Sequence, residues 1–445
     1  MVYTQEIAAE VLQLVEETTL SAKEALRIRF SGTKYGQKIR RSVHAYVLEV
    51  LKRKNTIDFL INISLKNKNI LDLPPFLRNI LRIGVYELVF KKVPPPLATD
   101  STVRIAKNRM GVGGAALSNA VLRRVEYINL ESKLSKLGKI ERISLKYSHP
   151  QWFVRYIFRL LGEKGAIELM KANLENPTTY LRVNTLKASE EKVLKYLDKN
   201  EIEVEETLLE NVFRVIKYKK PPASLDWHNK GYYVIQDLAS SYVAHVVNPG
   251  KDETILDLAA APGAKTSHLS MIMENKGKII AIDNSKDRIE RMKHKLKSLG
   301  VENVEYILGD GTKFFKEEVD KVLVDPPCSS TGVFRTFPCV KWRYDKTKYK
   351  AMIKIQRAMI KNALRNLKEG GTLVYSTCSI TFEENEENIN YASKFFKVEK
   401  IEKKIGTRGI KEFEGKKFFD WNKVIRTFPH LHSCSGFFIA KMTKS

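Results

Sequence analysis

Thr254-Ile255-Leu256-Asp257-Leu258-Ala259-Ala260-Ala261-Pro262-Gly263-Ala264-Lys265-Thr266 is the stretch that decides the fold. It opens as a short apolar run with a carboxylate near its end, the pattern of a strand buried in a parallel sheet. It passes through six small or turn-forming residues, Ala259 to Ala264, and enters a helical pattern over 265–274. Small residues let the backbone come close to a ligand, and the first turn of a helix offers unpaired N–H groups. The loop is neither a Gly-x-Gly-x-x-Gly turn nor a Walker loop, because it lacks the spacing of both.

Outward from this loop the same alternation repeats. Strands are predicted at 278–282, 304–308, 321–324, 372–375 and 437–441, with helices at 286–299 and 347–367. Alternating strands and helices make a doubly wound, Rossmann-like α/β sheet, whose ligands bind outside the carboxyl ends of the strands. Asp283 ends the second strand and is placed to accept from ribose hydroxyls. Asp310, in Gly309-Asp310-Gly311, ends the third and can accept from an adenine amino group. Each could instead be a turn or cap residue. Three such features at successive strand ends predict a nucleoside site formed by Ala259, Ala260, Ala261, Pro262, Gly263, Ala264, Lys265, Asp283 and Asp310.

Two thiols reach the same rim. Cys328 lies in Asp325-Pro326-Pro327-Cys328-Ser329 and Cys378 in Tyr375-Ser376-Thr377-Cys378-Ser379, each just past an apolar strand. A free cysteine is often only a small buried hydrophobe. These flanks are rigid or polar and are not core sequences, so they point to covalent chemistry. The chain has 4 cysteines in 445 residues, with no Cys-x-x-Cys pair, which fits a reducing cytoplasm and no metal site.

The remaining chain is helical and basic. Residues 7–15, 43–51, 77–90, 103–107 and 115–125 carry helix-period apolar positions, and Gly111-Val112-Gly113-Gly114 reads as a helix–helix connection. The net charge is +26, and residues 1–150 hold 26 Lys and Arg against 13 Asp and Glu, so half the excess lies on the first third. Such charge points to a phosphate-backbone partner. Glu6, Glu10, Glu16 and Glu17 argue against a signal peptide, and no apolar run reaches membrane-spanning length, so no membrane partner is expected. Residues 141–232 read as a small α/β bridge, with strands at 179–185 and within 204–215 and a helix at 188–198. His149, before a proline and near Trp152, is read as a local hydrogen-bonding residue.

The first segment resembles the NusB-type RNA-binding helical domain, on Leu81-Arg82-Ile83-Gly84-Val85-Tyr86-Glu87-Leu88, Val93-Pro94, Ala106-Lys107 and Ser118 to Arg124. The rest resembles the Sun/Fmu-type RNA 5-methylcytosine methyltransferases. The motifs are Gln236 to Ser241, Asp257 to Thr266, Asp283, Asp310, Asp325 to Gly332, Lys341-Trp342, Ser376 to Ser379, Gly436 to Phe438, and Pro177 with Leu181 to Asn184. Ala259 and Ala264 stand where the family usually has Cys and Gly.

The resemblance implies three domains: 1–140 NusB-like and all-α, 141–232 the bridge, and 233–445 a Rossmann-like S-adenosylmethionine-dependent methyltransferase. It implies that Cys378 attacks carbon 6 of a cytosine, that Cys328 assists release, that Asp325 contacts the base and that Lys265 favours the thiolate. Asp325 and Lys265 would also border the cofactor. The expected substrate is RNA, most readily small-subunit ribosomal RNA, handled by a monomer in the cytoplasm. A tRNA substrate, or a non-catalytic RNA-binding scaffold, is the alternative. A DNA cytosine-5 methyltransferase would use the Pro-Pro-Cys thiol and need no second cysteine.

Overall fold

A computed structural model describes residues 4–66, 68–313 and 317–444. The chain forms two compact units. One comprises Met1–Glu175 with Phe334–Arg343, and the other Asn176–Val333 with Tyr344–Ser445.

The helical unit is built on the predicted amphipathic stretches. Helices Thr4–Glu17, Gln37–Lys52 and Pro75–Val89 bury Ile7, Val11, Val43, Val47, Ile80 and Leu81 in one core. The glycine connection reduces to one residue. Gly111, at φ 72° and ψ −167°, breaks the run Pro95–Glu126 into two helices, a conformation that glycine adopts without a Cβ penalty. The short segment Phe334–Arg343 comes from far along the sequence and fills this core with Cys339, while Val340 and Trp342 pack on it. Its polar atoms serve as helix C-caps. Trp342 Nε1 donates to Leu51 O, Lys341 Nζ to Lys52 O and Ser148 O, and Arg343 to Val15 O at 3.0 Å. Val15, Leu51 and Lys52 lie in the last turns of their helices, where carbonyls lack partners within the helix, and Ser148 lies just past the end of helix Lys139–Lys146. His149 is buried. Its Nδ1 lies 2.6 Å from Tyr147 O and its Nε2 3.2 Å from Asn173 Nδ2, which is the local role expected of it.

The second unit begins with a four-stranded antiparallel sheet of β1 (Tyr180–Val183), β2 (Ile202–Glu206), β3 (Val212–Tyr218) and β4 (Tyr233–Ile235), ordered β2-β3-β1-β4. Helix Glu190–Lys199 packs Val193 and Leu197 on it. The main sheet uses β5 (Thr254–Asp257), β6 (Lys278–Asp283), β7 (Val304–Leu308), β8 (Val319–Val324), β9 (Leu367–Thr377), β10 (Phe396–Glu399), β13 (Ile425–Thr427) and β14 (Phe437–Lys444). A hairpin of β11 (Glu412–Phe413) and β12 (Lys416–Lys417) stands apart. The order is β10-β14-β9-β8-β5-β6-β7, with β13 on β14. β5 to β9 run parallel and β14 antiparallel to β9. The strand order reverses between β5 and β8, so a crevice opens at the carboxyl ends of these two neighbours. The site residues anticipated from the sequence lie at or just past the carboxyl ends of β5 to β9, the five parallel strands that flank that crevice.

Candidate active site

The β5 loop shapes itself around glycine at one position. Gly263 has φ +83° and caps helix Ala264–Ile272, and a Cβ there would stand 2.7 Å from Met292 Cγ. Ala264, next along, sits in ordinary helical backbone and needs no glycine. At the end of β6, Asp283 is buried. Its Oδ2 accepts from Ala261 N at 3.2 Å and its Oδ1 from Ser285 N at 3.1 Å. Arg288, on helix Lys286–Ser298, approaches Asp283 Oδ2 at 3.3 Å and also donates to Ala261 O, locking the loop to the second strand. Asp310 accepts from Thr312 N at 2.9 Å and Thr312 Oγ1 at 2.8 Å, and these bonds hold its carboxyl below the usual range.

Asp257 is 1% exposed. It accepts from Thr266 Oγ1 at 2.9 Å, while its Oδ1 has no partner. Burial pushes its pKa up to about 7. Lys265 Nζ donates to Asp325 Oδ2 at 2.6 Å, and Ser376 Oγ to Asp325 Oδ1 at 2.9 Å. Burial alone would weaken the Lys265 ammonium. The Asp325 carboxylate overrides it and holds the lysine charged.

The two thiols are brought together. β8 and β9 are parallel neighbours, so Cys328 and Cys378, a few residues past their ends, meet with Sγ atoms 3.3 Å apart. The loops that carry them cross tightly: Gly332 N donates to Cys378 O at 2.9 Å, and a Cβ on Gly332 would stand 2.0 Å from Gly436 O. Hydrogen bonding to Cys328, then to Ser330 at 3.5 Å, lowers the Cys378 thiol below its ordinary value against the pull of burial. The same bond, with burial added, raises Cys328 well above its own. Of the two, Cys378 is therefore the thiol that gives up its proton more readily and Cys328 the one that holds it. Cys339 and Cys434 are buried among apolar side chains, where the bland reading of a free cysteine holds.

These groups surround one cavity of about 660 Å³. Asp283, Asp310 and Asp325 supply its carboxylates, Leu258, Ile355 and Met359 its apolar wall, and both cysteines its far end. Ala259 and Ala261 also line it. Ala260, Pro262, Gly263, Ala264 and Lys265 are not on its wall. A purine nucleoside with a sulfonium tail fits this lining: carboxylates to accept from hydroxyls and amine, an apolar slot for the base, and thiols in the same cavity. Sequence reasoning missed Arg288, Ile355 and Met359, which sit on helices whose pattern reads as a solvated or packing face. It also left two motifs unexplained, Gln236 to Ser241 and Lys341-Trp342. Gln236 accepts from the buried Arg182, and Asp237 caps helix Leu238–Val247 while accepting from Ser435 N at 2.9 Å, so both are structural. The Lys341-Trp342 motif is the helix-capping segment of the helical unit.

Family models match three stretches: NusB family at residues 3–127, the ferredoxin-like domain of RsmF/B-like methyltransferases at 149–217, and 16S rRNA methyltransferase RsmB/F at 244–443. The chain is 30% identical over 429 residues to a probable ribosomal RNA small subunit methyltransferase B of Synechocystis, covering 91% of each. It is 42% identical over 233 residues to a tRNA (cytosine(72)-C(5))-methyltransferase of Pyrococcus horikoshii, covering 51% of this chain and 57% of that protein. The crystal structure of PH0851 superposes with a TM-score of 0.84 at 28% identity, over 100% of this chain and 99% of that one. Sequence, fold and the thiol-lined nucleoside cavity agree, and the chain belongs to the 16S rRNA methyltransferase RsmB/F family as an S-adenosylmethionine-dependent RNA cytosine-5 methyltransferase.

Proposed function

We propose that the chain methylates carbon 5 of a cytosine in small-subunit ribosomal RNA through a covalent adduct on Cys378. The observation that carries this reading is the thiol pair, 3.3 Å apart and opening onto the cavity. Carbon 5 of cytosine is a poor nucleophile. The Cys378 thiolate adds to carbon 6, breaks the aromaticity and moves electron density onto carbon 5. Asp325, held by Lys265 and Ser376, faces the base and stabilises the adduct through its Watson–Crick edge. Bound S-adenosylmethionine supplies a sulfonium methyl group to the activated carbon. The carbon-5 proton passes to solvent water, its bonding pair re-forms the 5,6 double bond, and the carbon 6–sulfur bond breaks so that Cys378 leaves as thiolate, a release that Cys328 assists. Ala259, Ala261, Asp283, Asp310 and Asp325, which line the cavity, hold the cofactor, and the rest of the loop from Ala260 to Lys265 shapes it from behind. The target base leaves its stack to enter.

The basic segment 1–140 docks the RNA backbone, 141–232 bridges, and 233–445 performs the chemistry, in a monomer acting in the cytoplasm. The long match to a small-subunit rRNA methyltransferase B supports the ribosomal substrate. The stronger but shorter match to a tRNA methyltransferase supports a second reading, with tRNA as substrate. Bisulfite sequencing of total RNA from a deletion strain and its complemented parent separates them. A protected cytosine lost from small-subunit rRNA is expected. Loss from tRNA alone establishes the second reading, and loss from neither refutes both.

A further inference from the structure

Beneath the thiols lies a buried carboxylate that the proposed mechanism leaves unused. Glu384 follows β9 and is 0% exposed. It faces no cation. Its Oε1 accepts from Ser329 N at 2.8 Å and Gln356 Nε2 at 3.0 Å, and its Oε2 from Ser329 Oγ at 2.5 Å and Thr381 Oγ1 at 2.9 Å. Ser329 directly follows Cys328. Ser379 directly follows Cys378, and its hydroxyl lies 3.1 Å from Ser329 Oγ and 2.9 Å from Thr381 Oγ1. Gln356 also donates to Pro327 O at 3.0 Å, on the other side of Cys328.

A buried carboxylate is costly unless several donors satisfy it. Glu384 collects four, drawn from both cysteine loops and the helix beneath them. We propose that Glu384 is a positioning residue: its carboxylate ties the backbone after Cys328 to the backbone after Cys378 and so sets the thiol–thiol separation. This rests on the reading of Cys378 as nucleophile and Cys328 as its proton-bearing partner. The Glu384 charge also acts on one thiol more than the other. It opposes ionisation of Cys328, which helps to keep the proton there and the negative charge on Cys378.

The test is Glu384→Gln, whose amide presents a donor to a pocket of donors, with Ser329→Ala as a milder companion that keeps the Ser329 N–H bond. Each cysteine's alkylation by iodoacetamide is followed against pH by mass spectrometry, without RNA or cofactor. Single-turnover methyl transfer and S-adenosylmethionine affinity are measured beside it. In Glu384→Gln the gap between the two alkylation midpoints should narrow, and methyl transfer should fall by about 100-fold, the scale of an ångström-level misplacement. Cofactor affinity should hold, because Glu384 does not border the cavity. Ser329→Ala should move the midpoints the same way by less. Unchanged midpoints and rate in Glu384→Gln overturn the proposal. If that variant does not fold, unchanged midpoints in Ser329→Ala overturn it alone. A wild type that transfers no methyl group to RNA cytosine would instead sink the proposed function, and the alkylation midpoints would still report on Glu384.

Discussion

Replacing Cys328 with alanine should have two separable effects on the nucleophile. The chief support for an ionised Cys378 is its hydrogen bond with Cys328, 3.3 Å away. A hydrogen bond to a charged group contributes about 1.5–3 kcal/mol. A thiol is a weak donor, so the lower end applies. Cys328→Ala should therefore raise the Cys378 thiol and lower its thiolate fraction near pH 7 by at most about tenfold, the factor that about 1.4 kcal/mol carries. Ser330 and Lys265 remain and limit the loss. Adduct formation with RNA should therefore slow by up to about tenfold at pH 7 and recover as the pH is raised. Once formed, the adduct should persist, because the group that assists release is gone. The assay is single-turnover reaction of radiolabelled RNA with cofactor over a pH series, resolved by denaturing electrophoresis. Cys378→Ala should give neither adduct nor product, and the double variant should give none. An adduct in Cys378→Ala but not in Cys328→Ala would exchange the roles of the thiols. A Cys378 alkylation midpoint unmoved by Cys328→Ala would show that this hydrogen bond does not acidify the nucleophile.

Asp283→Ala removes the acceptor of Ala261 N and Ser285 N and frees Arg288, so S-adenosylmethionine affinity in calorimetry should drop about tenfold or more while RNA affinity holds. Unchanged cofactor affinity would take Asp283 out of the site. RNA binding to the wild type should weaken steeply with salt, with a slope near 0.7 to 0.9 per phosphate contacted, and charge-reversing substitutions on exposed lysines of residues 1–140 should flatten it. An identical slope would leave that charge as a solvated face. Asp257 has its carboxyl raised from 3.8 to about 7, so the folded state binds more protons than the unfolded chain between those values. Its contribution to stability is full below about pH 4 and is lost as pH rises through about 7. Denaturant melts of Asp257→Asn should show a flatter dependence across that window, and an unchanged slope would contradict the assigned shift.

The pattern along the chain determined the layers and the rim. Val304–Leu308 and Lys321–Val324 read as strands because period and β-branching are local properties, and a parallel sheet places the end of every strand on one rim. That is why Asp283, Asp310, Cys328 and Cys378 could be picked out before any contact was known. What lies under the rim was not legible. Glu383-Glu384-Asn385-Glu386-Glu387 has the composition of a solvated helix start, yet Glu384 and Glu386 are wholly buried. Glu386 pairs with the buried Arg426, forty residues away, and Glu384 meets donors on the Cys328 loop. The placement of Phe334–Arg343 in the helical unit was hidden for the same reason. Its caps go to carbonyls about 290 residues earlier, and nothing in its own ten residues names those partners. Propensity and periodicity are set by neighbours in the chain. Burial of a charge, the capping of a distant helix and the distance between two thiols are set by the loops that the sheet brings together, and those exist only once it has formed.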